Sequence, residues 1–316
     1  MIGHATTITS TAGWTRPDFD AYRPKMTTIG ASEVFGFMFG ARLEAVLQRR
    51  GVVERFKGSS KSSLGHVSEP IALAMLSKYL DRPVQAAQCI VSHPTLTMMH
   101  ATPDGLTVGT EGMQGVEAKW TSGYNRAGVE LLCEHGPNAA IDTYAFRAWL
   151  QAVYSLLVTG LDVWWVCWVV GGEALARGLA GMDPEPGDFM VHPVRRDDED
   201  VAAMIAMLER EIPAFNARFI EGDELPAPNP DAAGDLKAIG KAYRVSIGLE
   251  VDAPGLADAC AAYVWNRDLV SGAKKAQDKA KALILAEMGE AQIASVPGYI
   301  VKRSKRGALT VKERKA

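Results

Sequence analysis

The chain has 316 residues and a mass of 34.0 kDa, long enough to bury a large core as one big domain or as one domain with an appendage. Its 47% apolar and 22% charged content is that of an ordinary globular protein, and a net charge of -3 with a pI near 6.1 excludes a globally basic nucleic-acid binder, though not a local basic groove. The four cysteines, Cys89, Cys133, Cys167 and Cys260, form no C-x-x-C pair, which argues against a disulfide framework, a zinc site or a cysteine-held iron–sulfur cluster and fits a reducing cytoplasm.

Residues 1–28 read as an irregular arm in which Arg16, Arg23 and Lys25 supply positive charge. The opening residues lack a basic segment followed by an apolar one, so no secretory leader is expected. From Glu33 to Arg50 the apolar positions Val34, Phe37, Met38, Ala41, Ala45 and Val46 recur at helical spacing, which predicts one helix with Ser32 as its N-cap. A helix start preceded by Gly30 is also a place where backbone N–H groups can hold a phosphate. Residues 51–63 read as a basic surface loop. The next helix is predicted over Leu64–Leu80, with Pro70 in its first turn and Glu69 favourably placed against the helix dipole.

Two short strands, Cys89–Val91 and Leu96–Ala101, lead into the most informative stretch. Pro103-Asp104-Gly105 is a turn that reverses the preceding strand, and Val116-Glu117-Ala118-Lys119-Trp120 alternates at strand period. Glu117 and Lys119 then share one face while Val116, Ala118 and Trp120 face a core, and the turn can bring Asp104 near Glu117. Two carboxylates and a lysine at one strand end suit a hard divalent cation, although the same pattern read alone is first of all that of a solvated surface hairpin. Glu111, in the bend between them, reads as bystander charge.

Residues 122–142 are expected to be a long loop and 144–158 a helix, with Arg147, Gln151, Tyr154 and Val158 on one face. Gly160 ends that helix. Val163–Val170, rich in Trp and Val, is too short to span a bilayer and reads as a buried central strand. A strand pair (Glu173–Leu179 and Asp188–Val194) and an amphipathic helix (Asp197–Phe219) follow. The prolines at 226, 228 and 230 mark a linker over 226–234, dividing a core of 1–225 from an appendage of 235–316. That appendage is expected to hold a helix at 236–242, a second at 255–289 in two pieces, and a hairpin at 299–311 turning at Lys305-Arg306-Gly307. Residues 301–316 carry seven Lys/Arg against one Glu, either a solvated tail or a DNA-contacting arm.

Taken in order, Ile29-Gly30-Ala31-Ser32-Glu33-Val34, Gly65-x-x-x-Glu69, Thr102-Pro103-Asp104-Gly105-Leu106, Val116-Glu117-Ala118-Lys119 and Gln151-x-x-Tyr154-Ser155 followed by Val158-Thr159 resemble the lambda-exonuclease-like YqaJ viral recombinase family of the PD-(D/E)XK nuclease superfamily. The resemblance runs from about Met26 to Val170. It implies an α/β (α+β) fold: a central mixed β-sheet flanked by helices, a restriction-endonuclease-like core with a C-terminal helical and hairpin appendage. It further implies Mg²⁺-dependent hydrolysis of DNA phosphodiesters, with Mn²⁺ as a substitute. Asp104, Glu117 and the carbonyl of Ala118 would hold the metal, and Glu69 a metal-bound water or second ion. Lys119 would orient the attacking water, Gln151 and Tyr154 would support the site, and Ser32 with Lys25 or Arg23 would bind a 5′-terminal phosphate. Expected partners are duplex DNA ends, a single-strand annealing protein and further copies in a trimeric ring, with no membrane. The sequence departs from the family where Lys25 and Arg23 compete for one arginine position and where Val153 precedes Tyr154. Two rivals remain: an endonuclease or repair nuclease of the same superfamily, against which the scattered cysteines argue, and a non-catalytic DNA-end-binding scaffold, against which the clustered acids argue. No H-x-x-x-H pattern and no G-x-x-x-x-G-K-[ST] loop offers another mechanism; His93 and His100 are expected in core or supporting roles.

Overall fold

The computed structural model describes residues 7–11, 28–54, 60–87, 89–183, 185, 187–242, 257–304 and 308–313. The chain divides into two compact units, Met1–Arg244 and Val245–Ala316. The strands of the first unit are β1 (Thr7–Ser10), β2 (Ile29–Gly30), β3 (Val84–Ala86), β4 (Cys89–Ser92), β5 (Met99–Ala101), β6 (Gly105–Gly109), β7 (Gly112–Thr121), β8 (Val163–Val170) and β9 (Phe189–Arg195). Its helices are α1 (Val34–Met38), α2 (Arg42–Arg49), α3 (Ser60–Leu80), α4 (Arg126–His135), α5 (Tyr144–Thr159), α6 (Gly171–Leu179), α7 (Glu199–Phe215) and α8 (Ala233–Ala242).

The main sheet runs β3-β6-β7-β8-β9, with β7 and β8 parallel and the other pairs antiparallel. A smaller sheet, β1-β4-β5-β2, includes the parallel pair β2–β5. This is the expected mixed sheet flanked by helices. The all-apolar composition of β8 follows from its position, because a strand packed on both faces has no side for polar residues. Trp164, Val166, Trp168 and Val170 join the core of α5, whereas Cys167 and Val169 join Ile71, Leu73 and Leu76 of α3. β7 lies beside β8 in register Glu117↔Val166 and Lys119↔Trp168, so both charged side chains fall on the α5 face while Val116 and Ala118 pack toward α3. Gly115 is required where it stands: a Cβ there would come within 2.3 Å of the Trp164 ring.

Several elements differ from the sequence-based expectations. The segment 33–50 is not one helix. A 3-10 turn, Ala31–Glu33, precedes α1, and α2 starts afresh at Arg42. Ser32 therefore lies inside a turn rather than at a helix N-cap, and the Glu33 carboxylate accepts from the Gly30 N–H at 3.0 Å instead. Pro70 sits in the interior of α3, which begins at Ser60. Residues 122–142 contain a 3-10 turn and α4, whose buried Val129 and Leu132 are too few to impress a period on the sequence. Residues 173–179 are helical, because Ala174, Leu175 and Gly178 share a face against α3, where a Gly178 Cβ would meet Ile71 at 2.3 Å. Pro103–Gly105 does not reverse one strand upon itself; β5 and β6 belong to different sheets, and the turn carries the chain between them.

The domain boundary also lies elsewhere. The 226–234 segment and α8 pack on the first unit: Ala238 joins Leu43 and Leu47, and the fully buried Asp235 accepts from the N–H groups of Glu44 and Asn229. The second unit consists of α9 (Ala257–Met288), a single helix rather than two pieces, and an antiparallel sheet of β10 (Ile293–Val296), β11 (Tyr299–Arg303) and β12 (Leu309–Glu313). The expected turn at 305–307 lies outside the described residues. Among the described residues no helix is long and apolar enough to cross a membrane.

Candidate active site

The C-terminal half of β7 and the Thr102–Asp104 turn meet at a cavity of about 370 Å³, whose walls include Glu69, Asp104, Glu117, Lys119, Gln151 and Ser32. Asp104 is locked to its surroundings by three bonds that involve backbone groups. Its N–H donates to the Val116 carbonyl at 3.1 Å, its carbonyl accepts from the Ala87 N–H at 3.0 Å, and its Oδ2 accepts from the Ala118 N–H at 2.8 Å. Glu117 is 1% exposed and forms a direct ion pair with Lys119 two residues on, as expected for neighbours on one strand face. The structure thus brings Glu69, Asp104, Glu117, Lys119, Gln151 and Ser32 around one space.

Charge in that space is unbalanced. Burial raises the Glu117 carboxyl to about 8, with the Asp104 charge adding to the effect and Lys119 opposing it. Burial and Asp104 raise Glu69 to about 7. Asp104 is also raised by burial, against the pull of Lys119, the Ala118 N–H and His66. For Lys119 burial works against the ammonium, but Glu117 and Asp104 outweigh it and hold the group above the usual lysine range. Three carboxylates therefore surround one ammonium. Among the described residues no group of three or more His, Cys, Asp or Glu side chains is arranged to hold a metal ion by itself. The donors fit an open site of a different kind: carboxylate oxygens in excess, with the Ala118 carbonyl on the same strand, is the chemistry a hard cation uses when it retains part of its water shell.

Tyr154 does not line this cavity. It is fully buried, and its hydroxyl donates to the Ile29 carbonyl at 2.5 Å, so it holds the backbone beside Ser32 rather than reaching the acids. Arg23 and Lys25 lie outside the described residues. Glu111 is remote, pairing with Arg195 at 2.6 Å on the surface.

Sequence reasoning missed a polar frame behind Ser32. Arg49, from α2, donates to Glu33 at 2.6 Å and to the Thr28 carbonyl at 2.7 Å, and Thr28 Oγ1 lies 2.8 Å from His100 Nδ1. His100 and Arg49 both line the cavity, and a Cβ on Gly30 would meet the His100 ring at 2.8 Å. No local motif marks Arg49; only the fold brings it to Glu33, sixteen residues earlier. His93 is a core residue whose Nδ1 accepts from the Leu96 N–H at 2.9 Å.

No family model matches the sequence, and no curated protein matches it. Among solved structures the chain is similar to an alkaline exonuclease from Laribacter hongkongensis, at 21% identity and a TM-score of 0.47 over 64% of this chain and 94% of that one. It is similar to that exonuclease in complex with dAMP at 22% identity and a TM-score of 0.46, with the same coverage. A phage-related exonuclease from Haemophilus somnus 129PT follows at 10% identity and a TM-score of 0.40, over 56% of this chain and 78% of that one.

Proposed function

We propose that the chain is a metal-dependent deoxyribonuclease that resects one strand of duplex DNA from its 5′ end. The observation that carries the reading is the grouping of Glu69, Asp104 and Glu117 around the single ammonium of Lys119 in one cavity. A module that only bound phosphate would gain nothing from an excess of buried carboxylates, which repel it. A bound Mg²⁺, with Mn²⁺ as a substitute, would supply Lewis-acid activation of the phosphodiester and of water.

Asp104, Glu117 and the Ala118 carbonyl would hold that ion, and Glu69 would hold a water on it. Asp104 is set in advance for this role, because its bond to the Ala118 N–H fixes the carboxylate before any ligand arrives. Lys119, whose ammonium is favoured by Glu117 and Asp104 beside it, would orient a water and stabilise charge developing on the phosphate. Gln151 and Ser32 stand at the cavity wall, where an amide and a hydroxyl can position the strand to be cut. Family resemblance extends the proposal to a trimeric ring in the cytoplasm that hands its single strand to an annealing protein.

The test is nucleotide release from linear duplexes with 5′-phosphate or 5′-hydroxyl ends, beside closed circular DNA, with Mg²⁺ and in EDTA. The expected result is Mg²⁺-dependent digestion of linear DNA, fastest from 5′-phosphate ends. Release that is unchanged in Glu117→Gln and Lys119→Ala would sink it, and cutting of the circle would favour an endonuclease.

A further inference from the structure

The larger cavity of the first unit, of about 640 Å³, shares Ala31, Ser32, Lys119 and Gln151 with the acidic one and belongs to the same site. The second unit carries charge that this site does not use. Residues 245–316 hold 12 Lys and Arg against 8 Asp and Glu, whereas residues 1–244 hold 22 against 29. An acidic chain thus contains a compact unit of opposite sign, the asymmetry expected of contact with a polyanion.

Within that unit the sheet sorts its side chains by face. The antiparallel register places Val301 between Ala294 and Val311, and Lys302 between Ile293 and Thr310, so the two rows lie on opposite sides. Val301 is buried, and on its side Arg303 donates to the Gly289 carbonyl at 2.9 Å, which seats this face on the end of α9 near the buried Met288. The other face carries Ile293, Lys302 and Thr310 in one row and Ser295, Ile300 and Lys312 in the next. It is open to solvent, with only Ile300 partly covered, and it holds no carboxylate, since Glu313 falls on the Val301 side. Among the described residues no carboxylate pairs with Lys302 or Lys312.

We infer that this outer face of β10–β12 is a docking surface for duplex DNA, bound through its phosphates without regard to sequence. The choice of DNA among polyanions rests on the nuclease reading. Three strands at about 4.8 Å spacing present a surface about 10 Å across, which suits a major groove about 12 Å wide. Lys302 and Lys312 are diagonal neighbours on adjacent strands, about 7 Å apart, so the sheet holds two ammonium groups at a fixed separation where an unstructured basic tail would not. Ser295 and Thr310 add hydroxyls that can meet phosphate oxygens. No Arg, Asn or Gln stands on the face to read a base edge, so binding follows the backbone. Duplex held here has a raised effective concentration at the active site, and the face takes no part in the chemistry.

The test is binding of the whole protein, in EDTA, to a covalently closed duplex minicircle, which has no end to digest, followed by fluorescence anisotropy over a range of salt. The double variant Lys302→Gln/Lys312→Gln is expected to bind roughly tenfold more weakly at low salt, with a slope of log affinity against log salt shallower by about two, since each phosphate contact contributes about 0.9. The pair Lys274→Gln/Lys275→Gln removes the same charge from exposed positions of α9 and should change neither quantity. All four lysines are solvent-exposed, and both pairs should melt as the wild type does. Circle binding unchanged by the sheet pair, or weakened equally by the α9 pair, overturns the inference, as does equal affinity for a single-stranded circle of the same length. With Mg²⁺ and linear DNA the sheet pair should raise KM and leave kcat unchanged. A protein that digests linear DNA but shows none of these losses keeps the nuclease reading alone; one that digests no DNA, yet loses circle binding in the sheet pair, keeps the docking surface alone.

Discussion

Two groups of charge lie on either side of Ser32, and they are built on opposite terms. Behind it, Glu33 meets Arg49, the Gly30 N–H donates to the same carboxylate, and Arg49 also donates to the Thr28 carbonyl, so that one carboxylate is matched by one guanidinium. In front of it, Glu69, Asp104 and Glu117 share one ammonium; burial pushes all three carboxyls upward, and the Asp104 charge adds to the effect on Glu69 and Glu117. The first arrangement is what a protein uses to hold backbone in place. The second costs stability as it stands, and such a cost persists where a ligand of opposite charge offsets it.

The contrast breaks most readily at the acids. Replacing Glu117 by Gln is expected to lower the rate of Mg²⁺-dependent DNA digestion by about a thousandfold or more while raising the melting temperature of the metal-free protein, because the variant removes repulsion along with a ligand. A variant that loses activity and stability together would mean that the acid cluster is structural. On the balanced side the sign is reversed. Arg49→Ala should destabilise by about 3 kcal/mol in denaturant unfolding, the low end for breaking a buried pair, since Glu33 keeps some contact with water. An unfolding midpoint equal to wild type would show that the pair holds nothing.

The pH dependence sharpens the contrast. Glu69 and Glu117 have an ordinary value of 4.5 and are raised to about 7 and about 8 in the fold, so over that window the folded state binds more protons than the unfolded one. Stability in EDTA should therefore fall as pH rises from about 5 to about 8.5, and the stabilisation given by Mg²⁺ should grow over the same range. Thermal melts at several pH values with and without the ion would read this directly; a flat EDTA profile would show the acids to be better compensated than they look. Asp104, Lys119 and His66 face the same cluster and are to be tracked in the same melts through Asp104→Asn.

Smaller effects follow from single bonds. Tyr154→Phe removes the hydroxyl that holds the Ile29 carbonyl and should cost about 1 kcal/mol, with a larger change in KM than in kcat if the hydroxyl serves to position Ser32. Arg195→Ala breaks only a half-exposed pair with Glu111 and should stay within about 0.5 kcal/mol of wild type.

Legibility followed the range of the forces involved. β7 and β8 could be read because each strand carries its own environment in its period: one face charged on β7, no face polar on β8. Asp104, Glu117 and Lys119 came with them, since a turn and an alternation place all three within about fifteen residues. α4 and α6 escape a sequence reading because each buries only two side chains, Val129 and Leu132 in one and Ala174 and Leu175 in the other, and their helicity is settled by packing on α5 and β9 and on α3 rather than by local pattern. Arg49 and Asp235 could not have been found locally: both act through partners that only the fold brings near. The prolines of 226–230 read as a linker at a domain boundary, but the segment belongs to the first unit, held there by Asp235 and Asn229.

The attachment of that segment limits where the molecule can be cut. Asp235 fastens the Pro-rich segment to the N-terminus of α2, and the segment forms one wall of the larger cavity. Shortening the protein at 225 would strip that wall and expose Leu43 and Leu47 to water, so a loss of activity would say nothing about the second unit. A truncation made beyond Ala242 keeps the wall, and only that version isolates what residues 245–316 contribute.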